Sequence, residues 1–368
     1  MNDGGGAGIF VRDGILHVID VTFANNAAAS PGPDVGGGAI YANGSLGVVI
    51  VDSKFTGNSG SNAGAVGMLN SDLTLVGNTF DGNMATGTGA NSVDTSKCSA
   101  MGGEIGDGGN GGAVAIDGGS DGTVTTCGNV FHANVAGALG GAMFRTPDNA
   151  VQESSIDQSL FDSNTSNAGG ALYFHHSHLV ITASTFTANS APGAGAIQAD
   201  DTMLDFTNVT FATNHATKGL GGAMSIFGNG GTLTNVTFAG NDSNGGSGYF
   251  AAAIAGGTAF TIDNTLFMND TTMDAGAPMQ CQGASTGSGN LQWPMTHVVG
   301  TAADAACVTG ITFADAMVAP LADNTGPVPT VSILSSSPAV GLGTNCPATD
   351  ARGHARNSSH CAAGAFEP

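Results

Sequence analysis

Titratable side chains crowd into two short stretches, "HHSH" at 175–178 and "DD" at 200–201, and Asp205 follows the second stretch. An imidazole beside a carboxylate can act as a general acid or base near neutral pH, because the carboxylate favours the charged imidazole. The same groups can also hold a divalent metal ion. Either chemistry requires that the two stretches, which lie far apart along the chain, come together in the fold.

A repeat supplies a fold that can do this. Phe-x-x-Asn recurs at intervals of 32, 25, 51, 30, 25, 25, 27 and 29 residues, and the 51-residue interval is interpreted as two turns with one Phe missing. A period near 25 residues is typical of a solenoid. The copies begin at Phe23, Phe55, Phe80, Phe131, Phe161, Phe186, Phe211, Phe238 and Phe267, the last with Asp270 in the Asn position.

Each period also carries Gly-Gly-Ala or a close variant, and short alternating runs such as "LVITAST" and "LDFTNVT" lie between them. These runs are rich in β-branched residues and too short for helices. They predict an all-β parallel β-helix of about ten rungs with about 25 residues per rung. We expect Phe to stack in the core, Asn to form an internal amide ladder, and Gly to allow the tight corner.

Counting from Gly-Gly-Ala places His175 over Asp200, His176 over Asp201 and His178 over Met203 on adjacent rungs, about 4.8 Å apart. Val180, Asp205 and Thr232 then share one outward position. Three hypotheses stay open for this face: solvated decoration without function, a ligand-binding patch, or catalysis. The binding patch comprises Tyr173, His175, His176, His178, Asp200, Asp201 and Arg145, and the catalytic set comprises His175, His176, Asp200, Asp201 and Asp205.

The balance of acidic and basic residues limits the classes of partner that the chain can bind. The chain has 28 acidic and 7 basic residues, a formal net charge of −21, which disfavours nucleic acid and anionic membranes. The small number of basic residues also argues against a lyase that acts on an anionic polysaccharide. Hydrolysis of a neutral glycan by carboxylate side chains remains an open alternative. No apolar run reaches the roughly 18 residues of a membrane span. We expect a polysaccharide or cell-surface glycan as partner.

Two Gly-rich stretches, 106–112 and 117–122, carry weak candidates for a calcium site, because carboxylate and amide oxygens on tight turns can bind this ion. No cofactor is required by the pattern, and calcium is a possible one. The calcium candidates are Asp107, Asp117 and Asp121.

The paired motifs resemble a known family. Gly-Gly-Ala with Phe-x-x-Asn is similar to the repeats of polymorphic outer-membrane proteins, which are right-handed β-helix passengers. The end of the chain, "PLADNTGPVPTVSILSSSPAVGLGTNCPATDARGHARNSSHCAAGAFEP", resembles bacterial secreted β-helix proteins of the choice-of-anchor Q type. This chain departs from them at "AVGLG" and in lacking an Asp after Cys361. The resemblance implies a right-handed parallel β-helix that is exported, extracellular or at the cell surface, and it implies no single activity.

The six cysteines are even in number and form no Cys-x-x-Cys, which favours disulfides and an oxidising compartment. Proximity along the chain and the family's C-terminal pattern predict the pairs Cys346–Cys361, Cys281–Cys307 and Cys98–Cys127. Asp350, Arg352, Gly353 and Arg356 belong to the same C-terminal pattern, and we expect Arg–Asp bonds there to pin a loop rather than to do chemistry.

The predicted organisation is a repeat region, 1–277, with a Gly/Ser/Thr-rich insert at 84–110, followed by a disulfide-pinned C-terminal capping region, 278–368. The start, "MNDGGGAGIF", enters a repeat at once, so we expect the signal sequence to lie outside this chain. The functional prediction is an exported surface or matrix protein in adhesion or glycan binding. The alternatives are a carbohydrate-active enzyme with its site on the His175/Asp200 face, and a structural filament subunit that self-associates.

Overall fold

The protein is all-β. The computed structural model describes residues 5–28, 36–89, 108–118, 122–147, 151–243, 251–256, 259–272, 280–296, 303–357 and 359–368, and these residues contain no helix. They form two compact units. The first comprises Met1–Ser155 with Phe161–Ser177, and the second comprises Ile156–Leu160 with His178–Pro368.

The strands are short and follow the repeat. Those in the first half of the chain are β1 (Ile9–Arg12), β2 (Ile15–Ile19), β3 (Thr22–Ala24), β4 (Ile40–Asn43), β5 (Gly47–Val51), β6 (Lys54–Thr56), β7 (Ser59–Gly60), β8 (Val66–Leu69), β9 (Leu73–Val76), β10 (Thr79–Asp81), β11 (Met84–Ala85), β12 (Val114–Asp117), β13 (Val124–Cys127), β14 (Val130–His132), β15 (Val135–Ala136), β16 (Met143–Thr146), β17 (Gln152–Asp157), β18 (Leu160–Asp162) and β19 (Leu172–His175).

The strands that follow are β20 (Ser177–Thr182), β21 (Thr185–Thr187), β22 (Ser190–Ala191), β23 (Ile197–Asp200), β24 (Met203–Thr207), β25 (Thr210–Ala212), β26 (His215–Ala216), β27 (Met224–Phe227), β28 (Gly231–Thr234), β29 (Thr237–Ala239), β30 (Asp242–Ser243), β31 (Ile254–Gly256), β32 (Phe260–Asp263), β33 (Leu266–Met268), β34 (Thr271–Thr272), β35 (Leu291–Trp293), β36 (Thr312–Phe313), β37 (Val318–Ala322) and β38 (Thr330–Ile333).

Each unit is a parallel β-solenoid, because the repeat strands pair in parallel with their copies on adjacent turns; β37 and β38 in the C-terminal segment form a separate antiparallel pair. In the first unit β1, β4, β8, β12, β16 and β19 pair in that order. In the second unit β20, β24, β28 and β32 do the same. The units together hold about nine turns, so the predicted all-β parallel solenoid is confirmed.

One interval of the repeat was interpreted wrongly. Phe80 pairs directly with Phe131, and their ring centroids are 4.8 Å apart, so the 51-residue interval is one turn and not two. This accounts for about nine turns where ten were expected. The Phe and Asn columns fix the register of a turn whatever the length of chain between them. The predicted insert also begins too early, since β11 pairs with β7 and β15 as part of a regular turn.

The phenylalanine stack in the core is confirmed. In the first unit Phe23, Phe55, Phe80, Phe131 and Phe161 lie with neighbouring ring centroids 4.8 to 4.9 Å apart. In the second unit Phe186, Phe211, Phe238 and Phe267 are 5.0 to 5.1 Å apart. Since parallel pairing repeats every turn, each ring packs face to face on the ring of the adjacent turn.

The asparagine ladder is also confirmed. In each step the side-chain Nδ2 donates to Oδ1 of the equivalent residue on the next turn, as Asn58 does to Asn83 at 2.9 Å. The same Nδ2 donates to the carbonyl of the repeat Phe on the preceding turn, as Asn58 does to Phe23 at 3.0 Å. The further steps are Asn83–Asn134, Asn134–Asn164, Asn189–Asn214, Asn214–Asn241 and Asn241–Asp270. These amides are buried, and the ladder satisfies them.

Two glycines explain the corner before Ala142. Gly140 has φ 65°, a conformation that L side chains rarely adopt. A Cβ at Gly141 would collide with the carbonyl oxygen of Gly170 on the adjacent turn. The motif therefore requires its first glycine for the backbone angle and its second for the close approach of two turns.

The C-terminal segment contacts several successive turns of the second unit, and its role as a capping region stays a prediction. Thr185 donates to the carbonyl of Pro329 at 2.7 Å, and Ala365 N donates to Thr237 Oγ1 at 2.9 Å. Its apolar side chains pack with those of β33 and β35 in a cluster of Leu266, Met268, Leu291, Ala316, Ile333, Ala339, Ala362 and Ala363. Under the docked segment, the outward side chains at the first positions of β21, β25, β29 and β33 are buried: Thr185, Thr210, Thr237 and Leu266.

Two predicted disulfides are confirmed, Cys281–Cys307 and Cys346–Cys361. The third pairing involves Cys98, which lies outside the described residues. Parallel pairing continues beyond residue 277 through β35 and β36, so the domain boundary at 277/278 stays a prediction. Two disulfides indicate that the chain folds in an oxidising compartment, as extracellular proteins do.

The predicted loop-pinning role of the C-terminal arginines is confirmed. Arg352 donates to Asp350 Oδ2 from Nη2 at 2.6 Å and from Nε at 2.9 Å. Arg356 donates to Glu367 Oε2 at 3.0 Å and to Asn208 Oδ1 at 2.9 Å. Because Asn208 belongs to the solenoid, Arg356 ties the C-terminal segment to the strands beneath it.

Candidate functional site

A row of hydrogen-bonded polar side chains runs across three turns on the outer face of the second unit. His178 Nε2 lies 2.8 Å from Asp205 Oδ2. Thr232 donates to Asp205 Oδ1 from its hydroxyl at 2.6 Å and from its backbone N at 3.2 Å. Strands β20, β24 and β28 position the three residues, and the counted register of Val180, Asp205 and Thr232 is confirmed.

The environment of Asp205 favours its ionised form. Partial burial opposes ionisation, but the hydrogen bond from Thr232 and then the bond and positive charge of His178 outweigh it, so the pKa of Asp205 is lowered. The His178 and Asp205 side chains keep 23% and 35% of their surface exposed, so both can reach a ligand. An ionised carboxylate held by two donors is a fixed acceptor on an otherwise rigid face.

The lowered pKa of Asp205 predicts acid sensitivity. A carboxyl whose pKa is lower in the folded than in the unfolded chain stabilises the fold above its unfolded value, about 3.9, and that contribution is lost as the pH falls through its folded value. Asp205→Asn should therefore reduce the loss of stability between pH 7 and pH 3 by roughly 0.2–1 kcal/mol, the range for a partly exposed pair. Urea unfolding at both pH values measures this. A neutral change on the same face, Thr207→Ala, should leave the pH dependence as in the wild type, and an unchanged dependence in Asp205→Asn would contradict the assignment.

An exposed aromatic side chain ends the strand that precedes Thr232 along the chain. Phe227 ends β27 in direct register with Asp200, and 45% of its surface is exposed. Met203, also exposed, is in register with His178. Asp201 follows Asp200 at a positive φ of 46°, and its carbonyl accepts a bond from Asn229 Nδ2 at 3.1 Å. The patch formed by His178, Asp200, Met203, Asp205, Phe227 and Thr232, hereafter the outer patch, thus combines a ring face with fixed polar groups.

Phe227 is not among the site residues predicted from the sequence, although counting residues from the Gly-Gly-Ala motif gives its register. Phe227 lies five residues after Gly222, as Asp200 lies five residues after Gly195. Counting gives the register of Phe227 with Asp200. It does not give the solvent exposure of the Phe227 ring, because that depends on which residues pack over it.

His175 and His176 lie in the first unit, at and just after the end of β19. His175 Nδ1 is 3.3 Å from Thr146 Oγ1, and the centroids of the two imidazole rings are 6.1 Å apart. His176 has a positive φ of 52°. Asp200 and Asp201 belong to the second unit, and the expected stacking of the histidines on these aspartates stays a prediction.

The other two predicted binding residues are less accessible. Tyr173 is half-buried and stacks on Phe144, with ring centroids 5.8 Å apart. Arg145 is 2% exposed, and its Nη2 donates to the carbonyl of Gly122. Burial lowers the pKa of Arg145 to about 10, although Asp72 opposes the change. Arg145 therefore does not lie on the exposed outer face, in keeping with its place in β16 two residues after the inward-facing Met143.

Of the three calcium candidates, Asp117 lies in the described part of the chain. Asp117 ends β12, accepts a bond from Gly118 N at 2.9 Å, and lines a small concavity of about 30 Å³ with Tyr41 and Asn62. Asp107 and Asp121 lie outside the described residues. Within the described part of the chain, no three His, Cys, Asp or Glu side chains form a group that could hold a metal ion. No helix there is long and apolar enough to cross a membrane.

Histidine–aspartate contacts between turns recur elsewhere. His132 Nδ1 lies 2.8 Å from Asp81 Oδ1, and His215 Nδ1 contacts Asp242 Oδ1. The first pair follows the repeat Phe by one residue, and the second follows the repeat Asn by one residue, so the repeat itself predicts their register. Because the contact occurs in three different columns, a His–Asp pair alone does not mark a site. The exposed Phe227 is what distinguishes the outer patch.

No family model, curated protein or solved structure matches this chain.

Proposed function

We propose that this chain is an exported β-solenoid that binds neutral glycans at the outer patch. The observation that carries the proposal is the exposed ring of Phe227, in register with Asp200 at the end of the strand that precedes Thr232 in the His178–Asp205–Thr232 row. Sugar rings stack their apolar faces on aromatic side chains, and their hydroxyls bond to fixed carboxylates, imidazoles and hydroxyls.

The charge and the C-terminal resemblance support the same proposal. A net charge of −21 repels anionic polysaccharides, so a neutral glycan is the matching partner. The resemblance of the C-terminal stretch to secreted β-helix proteins supports export, as do the two disulfides. Adhesion to a glycan-bearing surface is the role that these properties suit.

Binding should depend on the ring of Phe227. We expect Phe227→Ala to weaken binding to neutral glycans identified on a glycan array by roughly three- to tenfold, the worth of one aromatic contact. The matched control is Phe10→Ala, which removes a ring of similar exposure, 49% against 45%, in the first unit. Titration calorimetry of both variants decides the matter. Equal affinity in Phe227→Ala and the wild type would place binding elsewhere.

A carbohydrate-active enzyme is the second candidate, and the His178–Asp205 pair is the observation that favours it, because a carboxylate can orient an imidazole for proton transfer. A reducing-sugar assay on neutral polysaccharides tests it. If the wild type cleaves a polysaccharide and Asp205→Asn does not, the outer patch is a catalytic site and not only a binding site.

A further inference from the structure

Polar side chains replace the repeat residues of the core columns in the last turns of the second unit. Asp270 takes the Asn position of the ladder, Gln292 takes the place of the repeat Phe next to Phe267, and Gln280 takes the place of the repeat Ala. All three are fully buried, and Asp304 beside them is 8% exposed. A buried group of this kind needs partners for every polar atom.

Two oxygen atoms of this group accept no hydrogen bond from the described residues, Asp270 Oδ2 and Gln280 Oε1. Asp270 Oδ1 accepts two bonds of 2.8 Å from Asn241, so the ladder uses only one carboxylate oxygen. In every Asn copy the other side-chain atom is a donor, Nδ2, whereas here it is an acceptor. The Asn-to-Asp exchange thus places an extra buried acceptor at the last step of the ladder.

The remaining hydrogen bonds link these residues through their neighbours. The carbonyl of Trp293 accepts Gln280 Nε2 at 2.9 Å and also the N of Asn269, the residue before Asp270, at 2.8 Å. Gln292 Nε2 donates to Asp304 Oδ2 at 2.7 Å. Asp304 is close enough to act electrostatically on Asp270. Two carboxylates and an amide side chain therefore belong to one connected group of buried residues in the last turns of the second unit.

We propose that Asp270, Gln280 and Asp304 form a buried cation site that takes Ca²⁺. Carboxylate and amide oxygens are the ligands that this ion prefers. Two buried carboxylates of like charge are costly unless a cation compensates them. Burial raises the pKa of Asp270 to about 8; the bonds from Asn241 oppose this rise and the charge of Asp304 adds to it.

The site is separate from the calcium candidates of the sequence analysis and does not depend on glycan binding. It would explain why the ladder ends in Asp: Asn would offer the ion no charge. A bound ion would stabilise the last turns by mass action, because the unfolded chain does not hold these three residues together.

The test uses the intact protein after treatment with a chelator. Addition of millimolar Ca²⁺ should raise the unfolding temperature by roughly 3 °C or more, and Mg²⁺ should do so less, because it demands a more regular set of ligands. Asp270→Asn should remain folded, since Asn fits the ladder, and should lose the Ca²⁺ response. The matched control is Asp20→Asn at an exposed turn, which should keep it.

Two results would overturn the proposal. If Ca²⁺ leaves the unfolding temperature of the wild type unchanged, the orphaned oxygens are satisfied by a proton instead. If the response persists in both Asp270→Asn and Asp304→Asn, the ion binds elsewhere. Calorimetric titration with Ca²⁺ gives the stoichiometry independently, and one site per chain is expected.

Discussion

Phe211→Ala should destabilise the second unit by roughly 3–5 kcal/mol. Phe211 is fully buried, and its ring lies 5.0 Å from both Phe186 and Phe238. Truncation removes the transfer energy of the ring, leaves a cavity, and breaks two stacking contacts at once. The neighbouring rings cannot close the gap, because the ladder of Asn214 and the strand pairing of β25 hold the spacing between turns.

The measurement is the free energy of unfolding in denaturant, with Phe227→Ala as the matched control. That control removes the same side chain from an exposed position and should cost no more than about 0.5 kcal/mol. A loss below about 1 kcal/mol in Phe211→Ala would show that the stack is not what holds the turns together.

Arg356→Ala should be comparably severe, at roughly 3–5 kcal/mol, because it breaks a buried ion pair and leaves its partners unsatisfied. Its side chain is fully buried and donates to Glu367, Asn208 and the carbonyl of Gly364. Without the guanidinium, five acceptors lose a donor, and the C-terminal segment loses its hydrogen bond to Asn208, one of several that join it to the solenoid. We expect the segment to undock before the solenoid unfolds.

Limited proteolysis followed by mass spectrometry measures undocking. Cleavage between residues 314 and 368 should accelerate in Arg356→Ala, whereas the solenoid turns should keep their wild-type resistance. The matched control is Arg12→Ala, whose side chain is 66% exposed and pairs with the exposed Asp13. Equal protection of the C-terminal segment in Arg356→Ala would mean that its apolar contacts with Leu266 and Leu291 suffice to hold it.

The repeated columns could be predicted from the sequence alone because each residue type pairs with its own copy. The Phe-x-x-Asn and Gly-Gly-Ala motifs predicted that each Phe ring stacks on the Phe ring of the next turn and that each Asn amide bonds to the next Asn amide. The period of the motifs predicted the parallel solenoid. Where turns have equal length, counting also gave the register of Val180, Asp205 and Thr232. The Cys346–Cys361 and Cys281–Cys307 pairs followed from proximity along the chain and the C-terminal pattern.

Three features depended on the tertiary structure, because the repeat motifs do not encode them: the length of one turn, the position of the C-terminal segment, and the solvent exposure of individual side chains. The 51-residue interval is a single turn, because strand pairing depends on the columns and not on the length of chain between them. The C-terminal segment docks on several successive turns of the second unit, because the outward residues there are apolar or small, a property of the assembled face and not of any one stretch. The exposure of Phe227 and the burial of Asp270 were decided in the same way, since solvent access is set by residues distant in sequence.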